Sequence, residues 1–374
     1  MPIKILFLSD INSAHTQKWA LALAHKGYLI RIFSLNKNKS DWFKGIPNIE
    51  YTIGERGFDV AGKKELGKLE YLKALPELKR VIKSFQPDIL HAHYATSYGL
   101  LGALSGFHPF VLSVWGSDVY EFPQTSFLHK SLLKRNLRKA DYILSTSNIM
   151  AIETAKYTDK KIHITPFGVD LNVFKPMAVK HPFNEGDIVI GTIKALELKY
   201  GINYLIESFE ILCKKHPELP LKLLIVGKGS QETTLRKLCK EKGIEDNVKF
   251  TGWIKPEEVP LYHNMLDIFV ALSVTDSESF GVAVIEASAC SKPVVVSNVS
   301  GFEEVVENGI TGIIVPRRDS VAAANAIEKI VLDKKLGTSF GEAGRKRVEK
   351  LYNWTSNLDD IMAIYNVVLQ SQKL

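Results

Sequence analysis

Glu278 and Glu286 stand on either side of the stretch Ser279 to Ile285, which follows an apolar run from Leu266 to Val274 and reads as the opening of a helix. A strand ending near Val274, a polar loop through Ser277 and a helix from about Gly281 would leave the backbone N–H groups of Phe280, Gly281 and Val282 without intrahelical acceptors. Such groups bind anions, phosphate above all. Glu286 lies five residues past Gly281, roughly 7.5 Å along the axis, so a diphosphate at the helix start puts an attached ribose within reach of its carboxylate. Glu278, ahead of the helix, is left to face the sugar on the other side of the diphosphate. The bland alternative is an ordinary strand-loop-helix with one solvated and one capping glutamate.

A second group of chemistry-bearing residues lies in the first half. His91 and His93 are two apart at the end of an apolar run, hence on one face of a strand, and His93 is nearer the strand end. Asp10 to Lys18 reads as the first strand-to-helix loop, with Ser13 or Thr16 available as a helix cap and His15 and Lys18 able to reach a ligand. No GxGxxG dinucleotide fingerprint is present.

Placing these groups takes a chain that alternates strands and helices. Strand-like runs occur at 3–9, 28–34, 88–93, 110–115, 142–146 and 162–165, then at 188–193, 221–226, 248–251, 268–273, 293–297 and 312–315. Helical patterns lie between them, among others Trp19 to Lys26, Tyr71 to Phe85, Tyr204 to Lys215, Glu232 to Lys242 and Ala322 to Leu332. This alternation predicts parallel sheets covered on both faces, with ligands gathered at the carboxyl ends of the strands. At 374 residues the chain exceeds what one core serves. The interval Pro176 to Asp187, with two prolines, a glycine and a change of charge sign, reads as a linker. We therefore expect an α/β protein of two Rossmann-like, doubly wound domains facing across a cleft. The first spans 1–180, the second 181–353, and a terminal helix at 354–374 crosses back onto the first.

Charge is divided unevenly. Residues 1–182 hold 25 Lys and Arg against 15 Asp and Glu, a net charge of +10, while residues 183–374 hold 23 against 26, a net charge of −3. The excess concentrates in two helical patterns, Lys63 to Lys83 and Lys130 to Lys139. Leucines 66, 69, 72 and 75 recur at helical spacing in one, and Leu128, Leu132, Leu133 and Leu137 in the other. A basic amphipathic helix can lie on anionic lipid, so an anionic membrane surface is one candidate partner; the plain reading is a leucine stripe on the core with a solvated basic face. No nucleic-acid reader motif accompanies the charge, and nucleic acid is not expected. No run approaches a membrane span, and Met1 to Ser9 reads as a strand rather than a signal peptide. Cys213, Cys239 and Cys290 are widely spaced and odd in number, which fits reduced thiols in a cytoplasm.

Two glutamates separated by seven residues, with Phe-Gly beside the first, resemble the Glu-x7-Glu motif of retaining glycosyltransferases of the GT-B fold, family 4 most of all. The resemblance implies further roles. After the strand at 188–193, Lys194 stands where the family has Arg and Lys199 matches its Lys, the pair that clamps the donor diphosphate; Lys for Arg removes a bidentate fork and keeps the charge, and Tyr200 is inserted before Gly201. Gly227 resembles a glycine turn beside the nucleotide, and Thr251 to Ile254 resembles the segment whose backbone meets the base, which gives Ile254. Ser300 and Gly301 resemble the family's Gly-Gly loop near sugar and phosphate. In the first half, His93 matches the family's His-x-His run. Trp115 replaces a histidine that contacts sugar or acceptor, and Asp118 is retained beside it as an acceptor contact.

The resemblance thus implies a catalytic set of Glu278, Lys199, Lys194, Asp118 and His93. It implies donor binding by Glu286, Phe280, Gly281, Val282, Gly227 and Ile254, with His15, Lys18 and Trp115 on the acceptor side. It implies a nucleoside-diphosphate sugar as donor and no obligatory cofactor or metal. The activity implied is retaining transfer to a glycan or lipid-linked acceptor in cell-envelope polysaccharide biosynthesis, in the cytoplasm or at the inner face of its membrane. Two other readings share the fold: a sugar-nucleotide epimerase, which needs no acceptor, and a noncatalytic partner of a glycosyltransferase, which the missing histidine and the glycine-poor first loop favour.

Overall fold

The computed structural model describes residues 2–39, 42–54 and 72–372. The chain divides into two compact units, Met1–Pro166 with Ser356–Leu374, and Phe167–Thr355.

The first unit is built on seven strands: β1 (Lys4–Leu8), β2 (Leu29–Ser34), β3 (Ile49–Ile53), β4 (Ile89–His93), β5 (Phe110–Val114), β6 (Tyr142–Ser145) and β7 (Ile162–Ile164). Their order is β3-β2-β1-β4-β5-β6-β7 and every pairing is parallel. Strands covered by helices on both faces need apolar residues at every position. Phe110 to Val114 and Ile89 to His93 are accordingly buried throughout, the latter with two histidines in the row. The order reverses between β1 and β4, where Ile5 pairs with Ile89 and Leu8 with Ala92, so the loops after Leu8 and His93 open side by side.

The helix after β1 spans Ala14–His25, with Ser13 as its cap and Trp19, Ala20, Leu23 and Ala24 facing the core. It begins five residues before the Trp19 expected from the apolar pattern, because Thr16 is held inside by a 2.6 Å hydrogen bond to Ser9 Oγ. Strand β3 was not expected. It is an edge strand whose Glu50 and Tyr51 are exposed, so it lacks the continuous apolar run of its neighbours. Helices Ser97–Ser105 and Asn148–Ala155 were likewise not anticipated.

In helix Phe127–Lys139, Leu133 and Leu137 are buried and the basic residues are exposed, as the plain reading has it. Leu128 departs from the stripe: it is 77% exposed, and Phe127 beside it is 81% exposed. Of the other basic pattern, residues 63–71 lie outside the described residues, and helix Leu75–Phe85 buries Leu78 and Val81. From Ser356 onward the terminal helix Trp354–Gln370 belongs to the first unit. Asn357 Nδ2 donates to Pro166 O at 3.2 Å, and the fully buried Tyr365 reaches His91.

The second unit repeats the plan with β8 (Ile188–Ile193), β9 (Leu221–Val226), β10 (Val248–Gly252), β11 (Ile268–Ala271), β12 (Val294–Ser297) and β13 (Gly312–Val315) in the order β10-β9-β8-β11-β12-β13, all parallel. Its reversal lies between β8 and β11, where Ile268 pairs with Ile190. Helix Ile202–Lys215 lays Leu205, Ile206, Phe209 and Leu212 on this sheet.

The division between units falls ahead of the linker expected at 176–187 and of the boundary at 180. Val169 N donates to Tyr352 O at 2.7 Å, Trp354 N to Val169 O at 3.0 Å and Asn264 Nδ2 to Lys175 O at 2.9 Å, which fastens Phe167 to Lys175 into the second unit. Prolines and charge mark the loop after this fastening, not the division itself.

Candidate active site

Lys194 is the first residue beyond β8, and its N–H still donates to Val226 O at 2.9 Å, so the ladder fixes where its side chain leaves the sheet. Its Nζ lies 2.6 Å from Glu278 Oε2, with the two side chains 20% and 10% exposed, and Ser273 Oγ donates to the same oxygen at 3.4 Å. Burial disfavours the ammonium, yet the Glu278 carboxylate, then Tyr200 and Glu286, outweigh it and hold Lys194 above its ordinary value. Tyr200, inserted between Lys199 and Gly201, presents its ring to both lysines, 4.5 Å from Lys194 Nζ and 5.1 Å from Lys199 Nζ. The ring thus attracts both cations.

The helix that follows β11 is Val282–Ala289, with Gly281 as its cap. Its first returning bonds run from Val284 and Ile285 to Gly281 O, and the N–H groups of Phe280, Gly281 and Val282 have no acceptor among the described residues. Backbone N–H groups left in this way at a helix start are suited to an anion. Phe280 offers it only backbone, because its ring is buried against Phe167 and Tyr352. Ser300 and Gly301, expected in a loop, open the short helix Ser300–Val305, and its start is pressed onto this segment: a Cβ on Gly301 would stand 2.2 Å from Glu278 O and 2.4 Å from Phe280 N. Asp276 fastens that helix start, accepting from Ser300 N and Oγ at 3.0 and 2.8 Å and from Arg317 at 2.9 Å. Those hydrogen bonds hold its carboxyl below the usual range despite burial. Asp276 is thus a brace, and among the described residues no cluster of three or more His, Cys, Asp or Glu side chains could hold a metal ion.

Glu286 is 20% exposed, with Oε2 3.5 Å from Nε2 of the fully buried His263. Gly227, where φ is 137°, runs so close to Lys194 that a Cβ would stand 2.0 Å from Lys194 O. It sits at the same strand-end edge and receives the lysine's backbone. Ile254, half-buried, follows the edge strand β10 beside the exposed Trp253. A cavity of about 570 Å³ opens at the opposite, amino-terminal edge of the sheet, lined by Ile188, Ile268, Lys292 and Pro293. Lys194, Lys199, Glu278 and Glu286 are not among the residues that line it.

In the first unit, His93 is 2% exposed, with Nδ1 3.1 Å from Ser9 Oγ and its ring tilted on Trp115 at 4.6 Å. Burial, then the neighbouring His91 and His15, push its pKa well below the ordinary value, so it offers a neutral imidazole. His91 has both ring nitrogens engaged, by Tyr365 Oη at 2.7 Å and Ser113 Oγ at 2.8 Å, and burial lowers its pKa to about 3. It is a packed histidine. His15 meets the Trp115 ring edge-on at 5.8 Å, and Lys18 lies in the same helix, half-buried.

Asp118, expected as an acceptor contact, has backbone partners in the structure. It is fully buried, and its oxygens accept from Ala95 N at 2.7 Å, Gly116 N at 2.8 Å and Trp115 N at 3.1 Å. Burial raises its pKa against the pull of these bonds. Its carboxylate ties the loop after β4 to the loop after β5. Sequence reasoning missed that role, the shared ring of Tyr200 and the histidine behind Glu286, none of which has a local signal. The three thiols are pushed up by burial, Cys213 and Cys239 to about 11 and Cys290 to about 12. No helix of the described residues is long and apolar enough to cross a membrane.

Residues 4–147 match the family described as Glycosyl transferase 4-like, and residues 174–347 match Glycosyl transferases group 1. D-inositol 3-phosphate glycosyltransferase of Corynebacterium jeikeium is 30% identical over 315 residues, 74% of this chain and 72% of that protein. The GDP-mannose-dependent alpha-(1-6)-phosphatidylinositol monomannoside mannosyltransferase of Mycobacterium tuberculosis is 35% identical over 137 residues; the match spans 35% of this chain and only 36% of that protein's length. Among solved structures, a sucrose-phosphate synthase from Thermosynechococcus elongatus superposes with a TM-score of 0.85 at 22% identity, over 99% of this chain and 100% of that one.

Proposed function

We propose that this chain, which belongs to glycosyltransferase family 4 and has the GT-B fold, moves a sugar from a nucleoside-diphosphate sugar to a glycan or lipid-linked acceptor in envelope polysaccharide assembly, with retention at the anomeric carbon. The observation that carries this reading is the Lys194–Glu278 pair at 2.6 Å. It stands at the reversal of the second sheet, beside three unpaired N–H groups and Glu286.

Breaking the bond between the anomeric carbon and the diphosphate leaves positive charge on the sugar ring and negative charge on the departing phosphate. Lys194, Lys199 and the N–H groups of Phe280, Gly281 and Val282 stabilise the phosphate, preorganised as such charge requires. Glu278 holds the sugar, and Glu286 takes the ribose. An acceptor hydroxyl then bonds to the anomeric carbon on the face the phosphate leaves, and its proton passes to the leaving phosphate oxygen. No protein base and no metal enters that balance. His93, Trp115, His15 and Lys18 are the acceptor-side residues of the reading.

The mannosyltransferase relative is named for a GDP-sugar donor and a lipid acceptor, which supports both substrate classes. A lipid-linked acceptor suits a protein that meets membrane. The exposed face of helix Phe127–Lys139 carries Lys130, Lys134, Arg135, Arg138 and Lys139 with no acidic residue, and the exposed Phe127 and Leu128 stand at one end. Such a face suits anionic headgroups, with the apolar pair at the acyl boundary.

The test is turnover. Purified protein with a panel of nucleotide sugars and a lipid-linked acceptor fraction should release one nucleoside diphosphate in proportion to glycosylated acceptor, and NMR of the product should show the donor's anomeric configuration kept. An inverted product contradicts retention. A modified nucleotide sugar formed without acceptor favours the epimerase.

A further inference from the structure

We infer that His263 is a positioning residue for Glu286 and thereby sets the preference of the nucleotide site for ribose over deoxyribose. This rests on the reading of Glu286 as the ribose ligand. His263 lies in the short helix Val259–Asn264 and is fully buried between the rings of Phe174 and Phe269, at 6.1 and 5.4 Å. Neither of its ring nitrogens has a hydrogen-bond partner among the described residues. Leaving buried polar atoms unpaired is costly, and an apolar side chain would fill the same space without that cost. The polar group nearby that can relieve it is Glu286, whose Oε2 stands 3.5 Å from Nε2.

Closing that gap by roughly 0.7 Å gives an N–H···O⁻ bond of ordinary length. With a proton on Nε2 the imidazole then holds one carboxylate oxygen, which fixes the plane of the carboxylate and leaves Oε1 for the ribose hydroxyls. Supports of this kind orient the ligating group without touching the ligand. Lys194 also interacts electrostatically with Glu286, on the side where the proposed reading places the diphosphate. Glu286 is only 20% exposed, so few other groups compete for it.

The experiment measures the ratio of affinities for a ribonucleoside diphosphate and its 2′-deoxy counterpart by calorimetry, with UDP, GDP and ADP each paired to its deoxy form and inorganic diphosphate as reference. For the base that binds, the wild type should prefer ribose roughly tenfold or more. Glu286→Gln should reduce that ratio. His263→Leu should reduce it alike while leaving affinity for inorganic diphosphate unchanged, and His263→Gln, whose amide reaches the position of Nε2, should restore it. A ratio untouched in His263→Leu but lost in Glu286→Gln overturns the role of His263. A ratio untouched in Glu286→Gln overturns the ribose reading itself. Should His263→Leu fail to fold, His263→Asn, whose amide is too short to reach the position of Nε2, takes its place: a ratio lost in His263→Asn and kept in His263→Gln, with diphosphate binding intact, supports the role, and any other pattern overturns it.

Discussion

The Lys194–Glu278 pair makes binding and turnover respond in opposite directions to one substitution, Glu278→Gln. The Glu278 carboxylate occupies the ammonium that the proposed reading gives to the diphosphate. The side chains are 20% and 10% exposed, so solvent screens the pair only in part, and a charge-assisted hydrogen bond of this kind contributes about 1.5–3 kcal/mol. Glutamine keeps the shape and removes the charge. If about half of that energy passes to the incoming diphosphate, affinity for the nucleoside diphosphate rises by about 0.7–1.5 kcal/mol, three- to tenfold or so. Turnover should move the other way, down by ~100-fold, the usual loss when a group that meets transition-state charge is removed. Calorimetry with the nucleoside diphosphate and the rate of its release from the sugar nucleotide measure the two effects separately. Equal losses of affinity and rate would refute the placement of Glu278 on the sugar.

Lys199→Ala should weaken nucleoside diphosphate and sugar nucleotide by the same factor, about tenfold, and unchanged affinity in calorimetry removes it from the clamp. Neutralising Lys134, Arg135, Arg138 and Lys139 together, or replacing Phe127 and Leu128 by Ser, should lower co-sedimentation with vesicles containing phosphatidylglycerol and leave nucleotide binding intact; undiminished sedimentation would retire the membrane face. His91 titrates at about 3 in the folded protein against an ordinary 6.5, so between those values the unfolded chain binds more protons and stability falls as pH drops. From pH 7 to pH 5 the loss is about 2 kcal/mol, read by urea unfolding at the two pH values. His93, lowered likewise by burial, adds a slope of the same sign, so His91→Gln should reduce the slope without abolishing it, and an equal slope in the variant would contradict the assignment.

Both sheets were legible because their strands are buried on both faces, which leaves runs such as Val111 to Val114 and Leu223 to Val226 with scarcely a polar residue. The edge strand at Ile49–Ile53 escaped because one face meets solvent, and Glu50 and Tyr51 broke the run. Helix Ser97–Ser105 escaped for the opposite reason: it is buried nearly all round, so it has no polar stripe to betray its period. At the site, the helix start at Gly281 follows from local grammar, and the sequence reading found it. Asp118 shows the limit of that grammar. A conspicuous carboxylate beside a strand end looks like chemistry, but its partners are backbone N–H groups of Ala95, Trp115 and Gly116, which carry no side-chain signature. His263 and Glu286 are 23 residues apart and meet only because the sheet brings their helices together.

On the proposed reading, the edge holding Lys194, Lys199, Phe280, Gly281 and Glu286 binds a nucleoside-diphosphate sugar. The most direct measurement is thermal stabilisation of the protein by UDP, GDP, ADP and their common sugar conjugates, in the wild type and in Lys199→Ala. A ligand at ~100 times its dissociation constant adds roughly 2.7 kcal/mol, enough to raise the melting temperature of a unit this size by several degrees. One nucleotide and its sugar conjugate should stand out in the wild type and lose most of that effect in the variant. A folded protein that none of the panel stabilises, or a shift that survives Lys199→Ala undiminished, would contradict the claim.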